Sequence, residues 1–350
     1  MKSRTYNTIR NIISGGISYI FVILFPFLVR TIITYKLGEQ YVGLGNLFTS
    51  LLQVLNVTEL GFASAIAYTL YSPIAKKEYT KIVESIALLK TIYYIVGIVI
   101  TILGMGLLPF LHLFIKGDVP DNVNIYVLFV MYLVNTVISY FFFGYKSTII
   151  TAYQRYDVIS KINAVISCVR GIFQIIVLIS FSNYYLYTII IPISTVLSNY
   201  LVNFYAEKLF PELNVKVPLS LKGLKTIGRQ VGGIAIGRIA LMCRNSFDSI
   251  IISAFLGLST VAMYSNYYLI FSSITGMMAV FLNAMAASVG NSLATETIQK
   301  NELDHRKFDF YYQMMSGFCT ICLFALYQPF MKLWVGAKLT FPWTTMVLFC

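Results

Sequence analysis

Apolar stretches long enough to cross a bilayer follow one another along this 350-residue chain. A membrane-spanning helix needs about 20 mostly apolar residues, and short segments holding nearly all the Lys, Asp and Glu separate the stretches. Hydrophobic residues make up 58% of the chain and charged residues 11%, a balance that soluble domains do not have. We therefore predict an all-α polytopic membrane protein. The expected spans lie near 11–35, 41–71, 91–115, 124–150, 158–181, 184–205, 227–255, 260–289 and 310–335, with a further span beginning at 341.

The net charge of +12 is distributed unevenly across the predicted membrane. With a cytoplasmic N-terminus, most Lys and Arg outside the spans fall on the inner side, and the outer side keeps only Lys36, Lys116, Lys332 and Lys338. Cytoplasmic loops of membrane proteins carry such an excess of basic residues. The charge therefore predicts a cytoplasmic N-terminus and contact with anionic membrane lipids, and it does not indicate a nucleic-acid partner.

The chain repeats itself at a spacing of about 220 residues. At an offset of 219, Arg10 returns as Arg229, and the segment 37–44 returns at 256–263 with Leu37 and Gly38 matched by Leu256 and Gly257. At an offset of 220, Pro109 and Phe110 return as Pro329 and Phe330. In a membrane protein, such a duplication is typical of a two-lobed transporter whose site lies where the lobes meet.

Six spans separate the matched blocks, and this even number predicts repeats that run parallel, related by an axis along the membrane normal. We expect a six-helix N-terminal lobe at 1–210, a cytoplasmic linker at 211–225 and a partial C-terminal lobe at 226–350. Cys350 corresponds to a position inside the fourth span of the first copy. The sequence pattern thus predicts two helical bundles around a central cavity, the second incomplete, as in a truncated chain.

The opening block resembles the bacterial polysaccharide-unit flippases of the multidrug, oligosaccharidyl-lipid and polysaccharide exporter superfamily. The resemblance rests on Arg10, Asn11, Pro26, Phe27, Arg30, Leu37, Gly38, Tyr41, Gly43, Leu44, Leu47, Phe48, Glu59, Leu60, Gly61, Ala65, Ile66, Tyr71, Pro73 and Ala75. Later stretches are similar too, at Asp248, Leu256, Gly257, 264–267, 287–291, Phe330 and 333–336. This chain departs from the family's twelve to fourteen spans by its length.

The resemblance implies that the protein moves an undecaprenyl-pyrophosphate-linked oligosaccharide from the inner to the outer leaflet of a bacterial plasma membrane. It also implies partners of three kinds: the lipid-linked oligosaccharide, membrane lipids, and the polysaccharide polymerase and glycosyltransferases that handle the same unit. We expect no cofactor, since the sequence holds no nucleotide-binding motif.

Charged residues inside a membrane are costly and are functional candidates for that reason. Arg30, Arg170, Arg238 and Arg244 are opposed within the predicted spans only by Glu59 and Asp248. Guanidinium groups stay charged and bind phosphate oxygens through two parallel hydrogen bonds. The excess of positive charge therefore predicts a cavity for a pyrophosphate-bearing cargo.

Each candidate also has a structural interpretation. Arg244 and Asp248 are spaced i, i+4 and could neutralise each other on one helix face, while Arg238 and Arg30 lie near enough to span ends to reach lipid headgroups. Glu59 could neutralise an arginine or take up a coupling proton. Arg170 is a weaker candidate. The tyrosines near span ends, Tyr184 and Tyr187 among them, are typical of an interfacial belt.

The repeat suggests a partner for Arg30 on the opposite lobe. The offset of 219 carries Arg30 onto Ser249, next to Asp248, so the two charges lie at similar depth on opposite lobes. They could form a gate bond in one access state.

Three other function classes remain as alternatives. A cation-coupled multidrug exporter of the same fold needs buried acids, and the first span has none. A membrane enzyme needs a catalytic cluster, and the only histidines, His112 and His305, form none in sequence. The third alternative is a truncated remnant that acts as a scaffold or is inactive.

Overall fold

The computed structural model describes residues 4–56, 61–117, 119–213, 224–295 and 297–349, with side chains from Tyr19 onward apart from 225–230, 234 and 280–295. These residues form helices and turns without a β-strand. The helices are α1 (Arg4–Lys36), α2 (Glu39–Leu55), α3 (Phe62–Ala75), α4 (Tyr79–Leu107), α5 (Ile125–Phe141), α6 (Lys146–Ala152), α7 (Tyr156–Phe181), α8 (Tyr184–Leu209), α9 (Leu224–Leu256), α10 (Leu258–Thr295), α11 (Ile298–Val335) and α12 (Trp343–Val347). Short 3-10 turns lie at Leu108–Phe114, Pro211–Leu213 and Ala337–Leu339.

Within the described ranges, six helices are long and apolar enough to cross a membrane, and a seventh span results if α5 and α6 count as one. The protein is therefore a multi-pass α-helical membrane protein, as the sequence predicts. Two predicted spans are broken. The second divides into α2 and α3, and the fourth bends by 56° between α5 and α6, where Phe143 has a positive φ of 55°.

The turn from α1 to α2 recurs between α9 and α10. Gly38 separates the first pair with φ 112°, and Gly257, 219 residues later, separates the second with φ 89°. Both glycine amides donate to a carbonyl in the last turn of the preceding helix, Ile33 in one copy and Ile252 in the other. Because side chains are disfavoured at positive φ, the recurring Leu-Gly pair encodes the same sharp turn in each copy. The duplication in sequence is thus a duplication in structure.

Two hydrophobic cores correspond to the two bundles. The larger fills the helices of the first bundle and includes Leu44, Phe48 and Phe129, all fully buried. The smaller lies in the second bundle around Tyr267, Met331 and Met346. α2 packs on α9 and α10 where the bundles meet, and Leu258 and Ala262 of α10 belong to the first core.

Close packing of α1 on α7 positions the candidate site. A Cβ added to Gly171 of α7 would collide with the ring of Phe25 in α1, so only glycine lets the two helices approach this closely. This contact brings Arg30 of α1 and Arg170 of α7 to the walls of one cavity.

Candidate substrate cavity

Three adjoining cavities lie inside the first bundle. The first, of about 450 Å³, is the arginine cavity; it is lined by Arg30, Arg170 and polar groups of α2, α5, α7 and α8, including Asn46, Asn135, Ser167, Gln174, Tyr132, Tyr184 and Tyr187. The second, of about 510 Å³, is the amide cavity; it is lined mainly by Gln53, Asn56, Asn199, Tyr93, Tyr140, Thr136, Ser139 and Ser147. The third, of about 360 Å³, shares Ser167 and Arg170 with the first and Asn199 with the second.

Arg30 joins the arginine cavity to the contact between the bundles. Its Nη1 donates to the backbone oxygen of Ser265 at 2.6 Å and to Asn266 Oδ1 at 3.4 Å, and its Nη2 donates to Asn46 Oδ1 at 3.0 Å. All three acceptors are uncharged, and Ser265 and Asn266 belong to the second bundle. The guanidinium is therefore held across the lobe contact by neutral acceptors, and no carboxylate among the described residues pairs with it.

Arg170 projects into the same cavity from α7. It lines the arginine cavity and the third cavity, and within the described ranges it makes neither a hydrogen bond nor an ion pair. Sequence alone ranked it low, yet the structure places it beside Arg30.

No Asp or Glu in the described part of the chain lines any of the three cavities, and Arg30 and Arg170 are the only lining side chains that are charged at neutral pH. An unpaired charge in a low-dielectric interior costs free energy unless a counter-ion accompanies it. The described lining of the arginine cavity therefore favours an anion over a cation. Among the described residues, no group of three His, Cys, Asp or Glu side chains could hold a metal ion.

Symmetry-related residues meet where the bundles touch. Asn46 Nδ2 donates to Ser265 Oγ at 3.0 Å, and the two residues are 219 positions apart. A hydrogen bond between equivalent positions of two repeats lies close to the axis that relates them. The arginine cavity thus opens beside the pseudo-twofold axis that the parallel repeat predicts.

Asp248 does not pair with either predicted partner in this conformation. Its Oδ2 accepts a hydrogen bond of 2.5 Å from the hydroxyl of Tyr264 in α10. The local Arg244–Asp248 pair is not formed, since the described salt bridges do not include it. The gate bond between Arg30 and Asp248 is also not formed, because neutral acceptors nearer to Arg30 hold its guanidinium.

Arg238 and Arg244 do not line the three cavities. Arg238 is exposed on α9, and its Nη2 donates to Ser64 Oγ of α3 at 3.1 Å, so it contacts the other bundle. Glu59 lies outside the described residues.

Several cavity residues escaped the sequence analysis. Tyr184 is buried, its hydroxyl donates to the backbone oxygen of Tyr41, and it lies 3.1 Å from the Tyr132 hydroxyl. Tyr187 lines the arginine cavity. The interfacial-belt interpretation is therefore wrong for Tyr184 and Tyr187. The 219-residue offset between Asn46 and Ser265 was a usable signal, since both are polar residues within apolar helices.

Together, these features define a polytopic α-helical protein with two repeated bundles and a cationic cavity beside their contact. No protein-family model matches the chain, and no curated protein matches it. Among solved structures, it is similar to a crystal structure described as MATE in the bent conformation, with a TM-score of 0.55 and 15% identity over 98% of this chain and 78% of that chain. At this identity the likeness shows the fold, which is that of a MATE transporter.

Proposed function

We propose that this protein is a flippase that moves a lipid-linked oligosaccharide from the inner to the outer leaflet. The observation that carries the proposal is a cavity whose described lining holds two arginines and no carboxylate. The pyrophosphate of such a lipid would neutralise both arginines, and each guanidinium can bind it through two charge-assisted hydrogen bonds. The MATE fold supports a transporter in general.

Arg30 links cargo binding to movement of the lobes. In this conformation it donates to Ser265 and Asn266 of the second bundle. A phosphate oxygen is a stronger acceptor than a neutral carbonyl, so bound cargo draws Arg30 away from α10. Loss of those bonds loosens the contact and favours the alternative access state, because a ligand shifts a conformational equilibrium by its differential affinity for the two states.

The proposal includes a location and partners. We assign the protein to a bacterial plasma membrane with its N-terminus in the cytoplasm, on the basis of the positive-inside distribution. Its partners are then the lipid-linked oligosaccharide, the surrounding lipids, and the glycosyltransferases and polysaccharide polymerase that act before and after it.

A cation-coupled multidrug exporter is the second candidate, and the MATE likeness is the observation that favours it. Asp248 is the acid that such a mechanism would use, because it lies within the long apolar helix α9. Its carboxylate accepts a hydrogen bond from Tyr264, and it lines none of the three cavities.

Binding of a lipid pyrophosphate by the purified chain tests the proposal. We expect decyl pyrophosphate to bind, and Arg30→Gln and Arg170→Gln each to weaken it by about tenfold or more, since a charge-assisted hydrogen bond contributes about 1.5–3 kcal/mol. Arg306→Gln is the matched control. It removes the same charge from an exposed site, where Arg306 pairs with Glu302, and should leave the Kd unchanged.

The opposite ligand preference would overturn the proposal. If decyl pyrophosphate does not bind while tetraphenylphosphonium, a lipophilic cation, binds and depends on Asp248, the protein is a cation exporter.

A further inference from the structure

The amide cavity has a chemistry different from that of the arginine cavity beside it. Its walls carry amides, hydroxyls and tyrosine rings, and none of its described lining residues is charged. Its volume of about 510 Å³ lies within the range of small-molecule sites, about 300–1,000 Å³. Such a lining fits a neutral molecule rich in hydroxyl groups.

One amide donor at its wall lacks a partner. Asn199 of α8 lines both the amide cavity and the third cavity, and its side-chain Nδ2 makes no hydrogen bond within the described ranges. A buried donor without an acceptor costs about 1–3 kcal/mol. Rotation of the Asn199 side chain toward a ligand oxygen in the cavity would remove that cost, whereas a further cation would not.

Aromatic rings complete this lining. Tyr93 and Tyr140 pack against each other with their centroids 5.3 Å apart and line one wall of the amide cavity. Such rings suit the apolar C–H faces of a sugar, and amide and hydroxyl groups suit its rim.

The two cavities are neighbours with a defined order along the helices. Thr49, Tyr132 and Asn135 line both cavities. The amide cavity lies toward the C-terminal ends of α2 and α5, where Asn56 and Tyr140 line it. In the predicted topology the spans 41–71 and 124–150 run from the outer side to the cytoplasm, so the amide cavity lies on the cytoplasmic side of the arginine cavity. This is the side from which the lipid-linked unit enters.

We infer that the amide cavity is a sugar subsite, which binds the uncharged sugar next to the pyrophosphate while Arg30 and Arg170 hold the phosphates. This inference rests on the proposed function and adds to it a site that selects the cargo by its glycan. Affinity for the glycan would then depend on residues separate from those that bind the charge.

A comparison of glycosylated and bare lipid pyrophosphates tests the subsite. The probes are decyl pyrophosphate and its conjugates with glucose, galactose, N-acetylglucosamine and N-acetylgalactosamine, titrated against the purified 350-residue chain in detergent. We expect at least one conjugate to bind about tenfold more tightly than the bare lipid, as one or two added hydrogen bonds would give.

Asn199→Leu should remove most of the gain in affinity that the sugar gives, and it should leave the Kd of the bare lipid unchanged. Thr136→Val is a second, nearly isosteric variant of the same cavity, and it should reduce the gain by about threefold. Asn203→Leu is the matched control, because Asn203 lies four residues further along α8 and lines none of the three cavities. It should keep the gain.

The outcomes separate the two proposals. If no conjugate binds more tightly than the bare lipid, or if Asn199→Leu weakens both ligands by the same factor, the sugar subsite is wrong while pyrophosphate binding stands. If the bare lipid fails to bind, the proposed function fails. In that case, binding of a free sugar that is lost in Asn199→Leu would support the subsite, and no binding of free sugar would overturn it.

Discussion

Asn46 and Ser265 occupy the same position in the two copies of the repeat, and their side chains bind each other. The Asn46 amide donates to Ser265 Oγ, and its carbonyl oxygen accepts from Arg30. Arg30 in turn donates to the backbone oxygen of Ser265. One small network thus connects the cationic cavity to the contact between the bundles.

A double-mutant cycle on Asn46→Ala and Ser265→Ala should reveal coupling between these side chains. Hydrogen bonds between membrane helices contribute about 0.6 kcal/mol on average and up to about 1.7 kcal/mol. We expect a coupling in this range for the free energy of unfolding in mixed micelles. Pairing Asn46→Ala with Ser246→Ala is the control, because Ser246 bonds to Gln53 instead, and that pair should be additive. Additivity in both cycles would contradict the network.

Sequence could predict the two arginines of the cavity but not their uncharged neighbours. A charge within an apolar span is conspicuous because it is costly there, and Arg30 and Arg170 both line the cavity. Asn46 is uncharged, and Tyr184 and Tyr187 lie near a span end, where tyrosines are common at the membrane interface. Which way those side chains face depends on helix rotation, and rotation is set by packing partners in other helices.

Glycine sets the distance between α2 and α10. A Cβ added to Gly43 would collide with the backbone carbonyl of Leu258, the first residue of α10. Backbone cannot yield as a flexible side chain can, so the helices themselves would have to separate. Gly43 is one of the residues that the repeat identified, where the second copy has Ala262.

Gly43→Ala should therefore destabilise the protein by about 1–3 kcal/mol, the usual cost of overpacking. Gly237→Ala is the control. A Cβ at Gly237, in the middle of α9, meets nothing within 4 Å, and alanine raises helix propensity there by about 1 kcal/mol. Thermal unfolding in detergent measures both. Equal Tm values for the two variants would show that α2 and α10 can separate without cost.

Element boundaries were predictable where a strong local signal existed. Gly38 and Gly257 mark their turns because positive φ favours glycine, and both turns coincide with predicted span ends. The breaks within the second and fourth predicted spans were missed. The segment 142–145, Phe-Phe-Gly-Tyr, is apolar throughout, so hydropathy alone does not mark the break at Phe143, where φ is 55°.

Two contacts tie the bundles together on the predicted outer side. The amide of Lys116 donates to the backbone oxygen of Ser253 at 3.1 Å, and the hydroxyl of Tyr35 donates to the backbone oxygen of Trp334 at 2.7 Å. At the offset of 219, Lys116 and Ser253 correspond to positions that lie one residue from Trp334 and Tyr35, respectively. The pseudo-twofold axis thus relates the two contacts, and both must open if the outer side is to release cargo.

A disulfide between Lys116→Cys and Ser253→Cys should lock this conformation. The backbone hydrogen bond between these residues is 3.1 Å long, and residues joined in this way usually have Cα atoms close to the roughly 5–6 Å that a disulfide requires. The native cysteines, Cys168, Cys243, Cys319, Cys322 and Cys350, are first replaced by serine. In proteoliposomes, oxidation should then reduce lipid-linked oligosaccharide transfer to background, and a reductant should restore it, while either single cysteine variant stays insensitive.

Binding separates this lock from simple damage to the protein. The arginine cavity lies inside the first bundle, so the oxidised protein should still bind decyl pyrophosphate. It should bind the lipid more weakly than the reduced form does, because the cross-link opposes the state that bound cargo favours. Full transfer by the cross-linked protein would mean that cargo leaves without separation of the bundles at Lys116 and Ser253, and would contradict the opening of the outer side at these contacts.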